Sequence, residues 1–110
     1  FEQNDKYGLA DSLMTSIHYV CYNMDRDLFA DNEQGKAVRR AMAYAVPKQE
    51  AIEVATGGTA TEIHSCFSKG LNFWYNEDVE SFNLDLEAAR SELEAVGFSW
   101  NDDGRILMPA

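Results

Sequence analysis

The sequence is poor in basic residues and in cysteine. Lysine and arginine number 9 against 19 acidic residues, so the formal net charge is −10. A field of that sign repels phosphate backbones and disfavours nucleic-acid binding. The two cysteines, Cys21 and Cys66, form neither a disulfide framework nor a Cys-x-x-Cys pair. A disulfide between them and two separate thiols both stay open, and separate thiols are favoured.

Long apolar runs are also missing. The longest nearly apolar run, Ala41–Val46, is far shorter than the roughly 18 to 20 residues that cross a bilayer. The chain begins at Phe1 without a basic segment followed by an apolar run, so we expect an excised or processed piece of a longer protein. The 110 residues are 45% hydrophobic and 25% charged, which suits one folded α/β unit over residues 1–110.

Apolar periodicity predicts a first helix over Lys36–Val46. Arg39 and Arg40 are expected to point away from its buried face. That face is expected to consist of Val38, Ala41, Met42 and Ala45.

Proline, glycine and capping residues place two further helices. Pro47 must end the first helix and suits the first turn of a second, over Lys48–Ala55, which Gly57 stops. The third helix is predicted over Leu86–Val96, because Asp85 is a good N-cap before an apolar stripe. The first and second helices should therefore meet at a corner at Pro47.

The remaining segments are predicted to be strands or loops. Residues 1–13 are polar and are expected to form a loop. Met14–Met24 alternates with both faces largely apolar or aromatic, which predicts a strand covered on both sides. Asp103-Gly104 suits a turn into a strand that has no evident partner. Ser68–Glu80 lacks a period and holds Phe73, Trp74 and Tyr75 in a loop.

The order of these landmarks resembles one protein family. A strand ending in Tyr22-Asn23 precedes a Val38-Arg39-Arg40-Ala41-Met42-Ala43-Tyr44-Ala45-Val46 helix, and a helix from Asp85 later ends in Ala95-Val96-Gly97-Phe98. This series resembles the family 5 extracellular solute-binding proteins. Pro47, Leu86 and Glu92 depart from the family pattern, and Glu92 implies a more exposed helix face. The resemblance implies a fragment of the C-terminal lobe of a type II periplasmic-binding-protein-like fold, with three main helices and a few short strands.

The resemblance also implies a function. In this family two α/β lobes close on a small solute outside the cytoplasm and deliver it to an ABC import permease in the membrane, without catalysis or a cofactor. An oligopeptide is the expected solute, and a sugar or nickel chelate stays open. The remaining lobe of the full-length protein would supply the other wall of the cleft. The wall in this chain is expected to include Tyr22, Asn23, Trp74 and Tyr75.

Several alternatives accompany this interpretation. Trp74 could be a ligand platform or a core anchor, and Asn23 is expected to hold the turn that follows it. A small α/β protein-interaction module that uses the aromatic loop is the alternative function. Ser65 beside His64 lacks the features of a nucleophile site, so no catalytic residue is predicted. No metal site is expected either, although four residues have suitable ligand types: His18, Cys21, His64 and Cys66.

Overall fold

A computed structural model describes residue 10 and residues 12–109. Most of the predicted loop over residues 1–13 lies outside the described residues. The chain divides into unit 1, Phe1–Tyr19 with Ile63–Val79, and unit 2, Val20–Glu62 with Glu80–Ala110. The described part holds three α-helices and a two-stranded sheet, which confirms the mixed α/β class. None of the described helices has the length and apolar character needed to span a membrane.

The first helix, α1, spans Glu33–Ala45 in unit 2 and begins three residues earlier than predicted. Its start is fixed by Asn32, whose side-chain oxygen accepts a hydrogen bond from the Gly35 amide at 2.8 Å. This bond satisfies one of the amide groups that a helix start leaves unpaired. A short 3-10 helix over Asp27–Phe29 precedes α1 and packs against it.

The predicted core face of α1 is partly wrong. Val38 and Ala41 are buried as expected, but Met42 is 40% exposed and Ala45 is also exposed. The buried face instead continues towards the helix start, through Gly35 and Ala37. The physical reason is the position of the covering elements, because α1 packs against the third helix and the 3-10 helix. These neighbours select a face rotated away from the one that the apolar spacing favoured.

The second helix, α2, spans Lys48–Thr56, one residue longer than predicted. Pro47 stands at its N-cap position, two residues after α1 ends and one residue before the first turn that the sequence predicts for it. Gly57 ends the helix with φ of 60°, a left-handed conformation that glycine adopts without strain from a Cβ atom.

The third helix, α3, spans Leu86–Glu94 and ends two residues before the predicted boundary. Asp85 caps it as predicted, since its carboxylate accepts a hydrogen bond from the Ala88 amide at 2.9 Å. The chain then forms an antiparallel hairpin of β1, Ser99–Trp100, and β2, Ile106–Leu107. The predicted final strand therefore has a partner, which corrects the expectation that it had none.

The predicted strand over Met14–Met24 does not form. Tyr19 and Val20 are 73% and 70% exposed, so the two covered faces that the alternation suggested are absent. A strand needs a neighbour for its backbone hydrogen bonds, and β1 and β2 form the only sheet within the described residues.

Candidate functional site

The aromatic loop in unit 1 is fixed by a short hydrogen-bonded turn. Ser68 is buried, and its hydroxyl donates to the carbonyl oxygen of Met14 at 2.5 Å and accepts from the Gly70 amide at 3.2 Å. The amides of Trp74 and Tyr75 both donate to the Leu71 carbonyl oxygen, at 2.8 and 3.0 Å. The loop therefore presents its aromatic side chains from a defined backbone.

The rings of this loop are largely exposed. Trp74 is 62% exposed and Phe73 is 87% exposed, and their rings meet edge to face with centroids 5.1 Å apart. The Phe67 ring lies 6.2 Å from Trp74 at an interplanar angle of 30°. Tyr75 is half-buried, and the Lys69 ammonium lies 5.8 Å from its ring centroid. Trp74 is therefore not a core anchor within its own unit.

Tyr22 and Asn23 belong to unit 2 and have local partners. The Tyr22 ring lies 5.3 Å from the Phe29 ring at an interplanar angle of 43°. The Asn23 side-chain oxygen accepts a hydrogen bond from the Asp25 amide at 3.0 Å, and the Asn23 carbonyl oxygen accepts one from the Arg26 amide at 3.2 Å. The prediction that Asn23 holds the following turn is confirmed.

A surface depression of about 550 Å³ lies in unit 1. Cys66 contributes to it and is, like Cys21, a free and exposed thiol. Within the described residues there is no cluster of three or more histidine, cysteine, aspartate or glutamate side chains placed to hold a metal ion. The lining residues are Ile17, His18, Tyr19, Ile63, Ser65 and Cys66.

A second depression, of about 370 Å³, lies in unit 2 at the start of α2. Lys48 and Glu62 meet in it, with 3.2 Å between the ammonium nitrogen and a carboxylate oxygen, and Lys48 also donates to the Phe82 carbonyl oxygen. The Gln49 amide donates to the other oxygen of Glu62 at 2.7 Å. The depression is lined by Pro47, Lys48, Gln49, Glu50, Glu62, Asn83 and Leu84.

Arg40 is the centre of the main charge cluster of unit 2. Its two terminal nitrogens donate to the two carboxylate oxygens of Glu80 at 2.9 and 2.8 Å, and its Nε donates to Glu92 at 2.8 Å. These bonds, that to Glu80 first, raise the pKa of Arg40 above its ordinary value. The same pairing lowers the pKa of Glu80 below its ordinary value of 4.5. The Arg40 guanidinium also lies 5.1 Å from the Phe82 ring centroid.

The four residues predicted for the site fall into two pairs. Trp74 and Tyr75 share the aromatic loop of unit 1, whereas Tyr22 and Asn23 are neighbours at the start of a turn in unit 2. Sequence reasoning missed the contacts of Arg40 and Lys48 with glutamates. No periodic signal could have revealed them, because their partners lie 40 and 14 positions away along the chain.

A comparison with known protein families gives a match over nearly the whole chain. The model of the family described as bacterial extracellular solute-binding proteins, family 5 Middle, matches residues 1–109. No curated protein and no solved structure gives a significant match. Since the family match spans nearly the whole chain, this protein belongs to the family 5 bacterial extracellular solute-binding proteins.

Proposed function

We propose that this protein captures a small solute, with an oligopeptide as the expected class, outside the cytoplasm and delivers it to an ABC import permease. Family membership supports this proposal. Residues 1–110 would form part of the C-terminal lobe of a type II fold, and the remaining lobe would complete the protein. The solute is bound and released without chemical change, so the protein acts as a carrier and not as an enzyme.

The proposed solute contact in unit 1 is the aromatic loop. The observation that carries this assignment is the exposure of Trp74, a large apolar side chain that the loop holds 62% open to solvent. Exposed clusters of large apolar side chains mark binding surfaces more often than do scattered single residues. The Phe73 and Phe67 rings both contact Trp74 and extend this apolar surface. Tyr75 follows in the same turn.

The proposed contacts in unit 2 are Tyr22 and Asn23. The Tyr22 ring is held by Phe29, so its hydroxyl group would be presented to a solute at little conformational cost. The Asn23 side-chain oxygen is engaged by the turn, and its amide nitrogen would donate to a solute oxygen.

Replacement of Trp74 by alanine tests the role of the aromatic loop. Trp74→Ala in the intact protein should weaken solute binding by roughly 1.5 to 3 kcal/mol, the contribution of burying one large side chain, or about 10- to 150-fold in Kd. The melting temperature should change little, because most of the ring is already exposed. Calorimetric titration with the solute that native mass spectrometry finds on the intact protein measures the effect.

Trp100→Ala is the matched control, because it removes the same side chain from the β1 strand of unit 2. Its Kd should equal that of the wild type. An unchanged Kd for Trp74→Ala would remove the aromatic loop from the binding site.

Protein recognition is the second candidate for the same surface. The near-complete exposure of Phe73 favours it, since an aromatic side chain in that state is typical of a contact with a protein partner. Retention of a small solute by the intact protein, lost on Trp74→Ala, would support solute capture. Retention of a protein partner, lost on Phe73→Ala with solute binding unaffected, would support the second candidate.

A further inference from the structure

The segment Ile63–Val79, which carries the aromatic loop, is flanked by two glutamates that belong to unit 2. Glu62 precedes the segment and Glu80 follows it. Both carboxylates are bound by basic side chains from the helix pair α1 and α2. The residues on either side of the aromatic segment are therefore held by ion pairs with α1 and α2.

The first contact is at Glu62. Lys48 and Gln49, in the first turn of α2, each bind one of its carboxylate oxygens, at 3.2 and 2.7 Å. The Lys48 and Glu62 side chains are only 26% and 19% exposed, so solvent screens their attraction less than that of a fully exposed pair. The additional bond from Lys48 to the Phe82 carbonyl oxygen fixes the ammonium group from a second direction.

The second contact is at Glu80. Arg40 binds both of its carboxylate oxygens in a bidentate geometry, which fixes the orientation of the carboxylate as well as its distance. Glu92 on α3 holds the Nε of the same guanidinium, and the Phe82 ring lies against it. Isolated surface ion pairs contribute little to stability, but paired geometry and a network of charges make this one an exception to that expectation.

We propose that Arg40 and Lys48 are positioning residues for the aromatic loop, a role that rests on the proposed function of Trp74 and Tyr75. By fixing Glu80 and Glu62, they restrict both ends of the segment and so the range of conformations that its loop can sample. A loop restricted before binding loses less conformational entropy when the solute binds. Neither residue is required to touch the solute.

Hydrogen exchange of the intact, solute-free protein tests this role. Arg40→Met and Lys48→Met should each speed exchange of the Trp74 and Tyr75 amides several-fold, because these amides are bonded within the segment, to Leu71. Exchange within the hairpin of β1 and β2 should stay unchanged. Arg90→Met is the matched control, since Arg90 lies over the Trp100 ring and contacts neither glutamate.

Glu80→Gln provides a second variant should Arg40→Met unfold the protein, because Glu80 is 55% exposed at its side chain and Arg40 would keep Glu92. It should speed exchange of the same two amides, and Arg40→Met should add little in its presence. Unchanged exchange at Trp74 and Tyr75 in Glu80→Gln and Lys48→Met would overturn the proposal. Faster exchange together with an unchanged Kd for Trp74→Ala would support the positioning role of Arg40 and Lys48 and refute the proposed solute contact.

Discussion

At the scale of single residues, Gly35 shows how tightly α1 is seated. A Cβ atom at this position would lie 2.7 Å from the Ala30 backbone nitrogen and 2.8 Å from the Phe29 carbonyl carbon. Both are backbone atoms, which cannot turn aside as a side chain can. Glycine is therefore needed here to let the 3-10 helix approach the first turn of α1.

Gly35→Ala should lower the free energy of unfolding by about 1 to 3 kcal/mol, the cost of overpacking. The change is expected to destabilise although alanine is the better helix former by about 1 kcal/mol. A urea melt measures it, with Gln34→Ala as the neighbouring control, for which we expect a change within about 0.5 kcal/mol. A stabilised Gly35→Ala variant would contradict the close approach.

The partial burial of Glu92 could not be predicted without knowing its ion-pair partner. Its presence at an apolar position of the family pattern predicts a more exposed helix face, yet its side chain is only 27% exposed and binds Arg40. The departure from the pattern is thus compensated by a charge on another helix. Sequence spacing could not reveal this pairing across 52 positions.

The pH dependence of stability tests the Arg40–Glu80 pair. Because the pairing lowers the folded-state pKa of Glu80 below 4.5, its stabilisation is present above the unfolded-state pKa and is lost as pH falls through the folded value. Glu80→Gln should therefore melt at a lower temperature than the wild type near neutral pH, and the two melting curves should converge in acid.

Glu77→Gln, which removes an exposed carboxylate three residues earlier, is the control for that measurement. Near neutral pH it should melt close to the wild type, because Glu77 forms no ion pair within the described part of the chain. A difference in melting temperature between Glu80→Gln and the wild type that stays constant from neutral pH into acid would contradict the pairing.

At the scale of elements, α1 shows that the apolar spacing of a helix does not by itself determine which residues are buried. Arg39, expected to point away from the core face, donates to the Phe29 and Ala30 carbonyl oxygens at 2.6 and 2.8 Å and ties α1 to the 3-10 helix. Met42, expected to be buried, is 40% exposed. We therefore expect Arg39 to contribute more to stability than Met42.

Arg39→Ala should lower the free energy of unfolding by about 1.5 to 3 kcal/mol, since hydrogen bonds from a charged donor to two half-buried carbonyl groups are lost. Met42→Ala should cost about 1 kcal/mol, less than the loss of a fully buried methionine, because 40% of Met42 remains exposed to water. Chemical melts of the two variants rank them directly. A larger loss for Met42→Ala would restore the face that the spacing predicts.

Helix boundaries were predictable where local chemistry decides them. Gly57 and Asp85 act through their own backbone or side chain, and each has the role that the sequence indicates, while Pro47 lies at the N-cap, one residue before its predicted place. The strand over Met14–Met24 was not predictable, because a strand depends on distant partners and alternation describes only one side of the pairing. The hairpin of β1 and β2 forms where a local turn supplies the partner.

At the scale of the whole molecule, the family was predictable and the arrangement of the site was not. The order of landmarks along the chain carried the resemblance, and the family match over residues 1–109 confirms it. Trp74, Tyr75, Tyr22 and Asn23 remain proposed contacts, now with described surroundings. The ion pairs of Lys48 with Glu62 and of Arg40 with Glu80 were visible only in the fold, because no sequence period connects these residues.

The two free thiols have a practical consequence for spectroscopy. Cys21 belongs to unit 2 and Cys66 to unit 1, and both are exposed. Each unit of the described chain thus carries one natural attachment point for a maleimide dye, and no engineered cysteine is needed. With the other cysteine replaced by serine, an environment-sensitive dye on either thiol would report on the surroundings of one unit at a time.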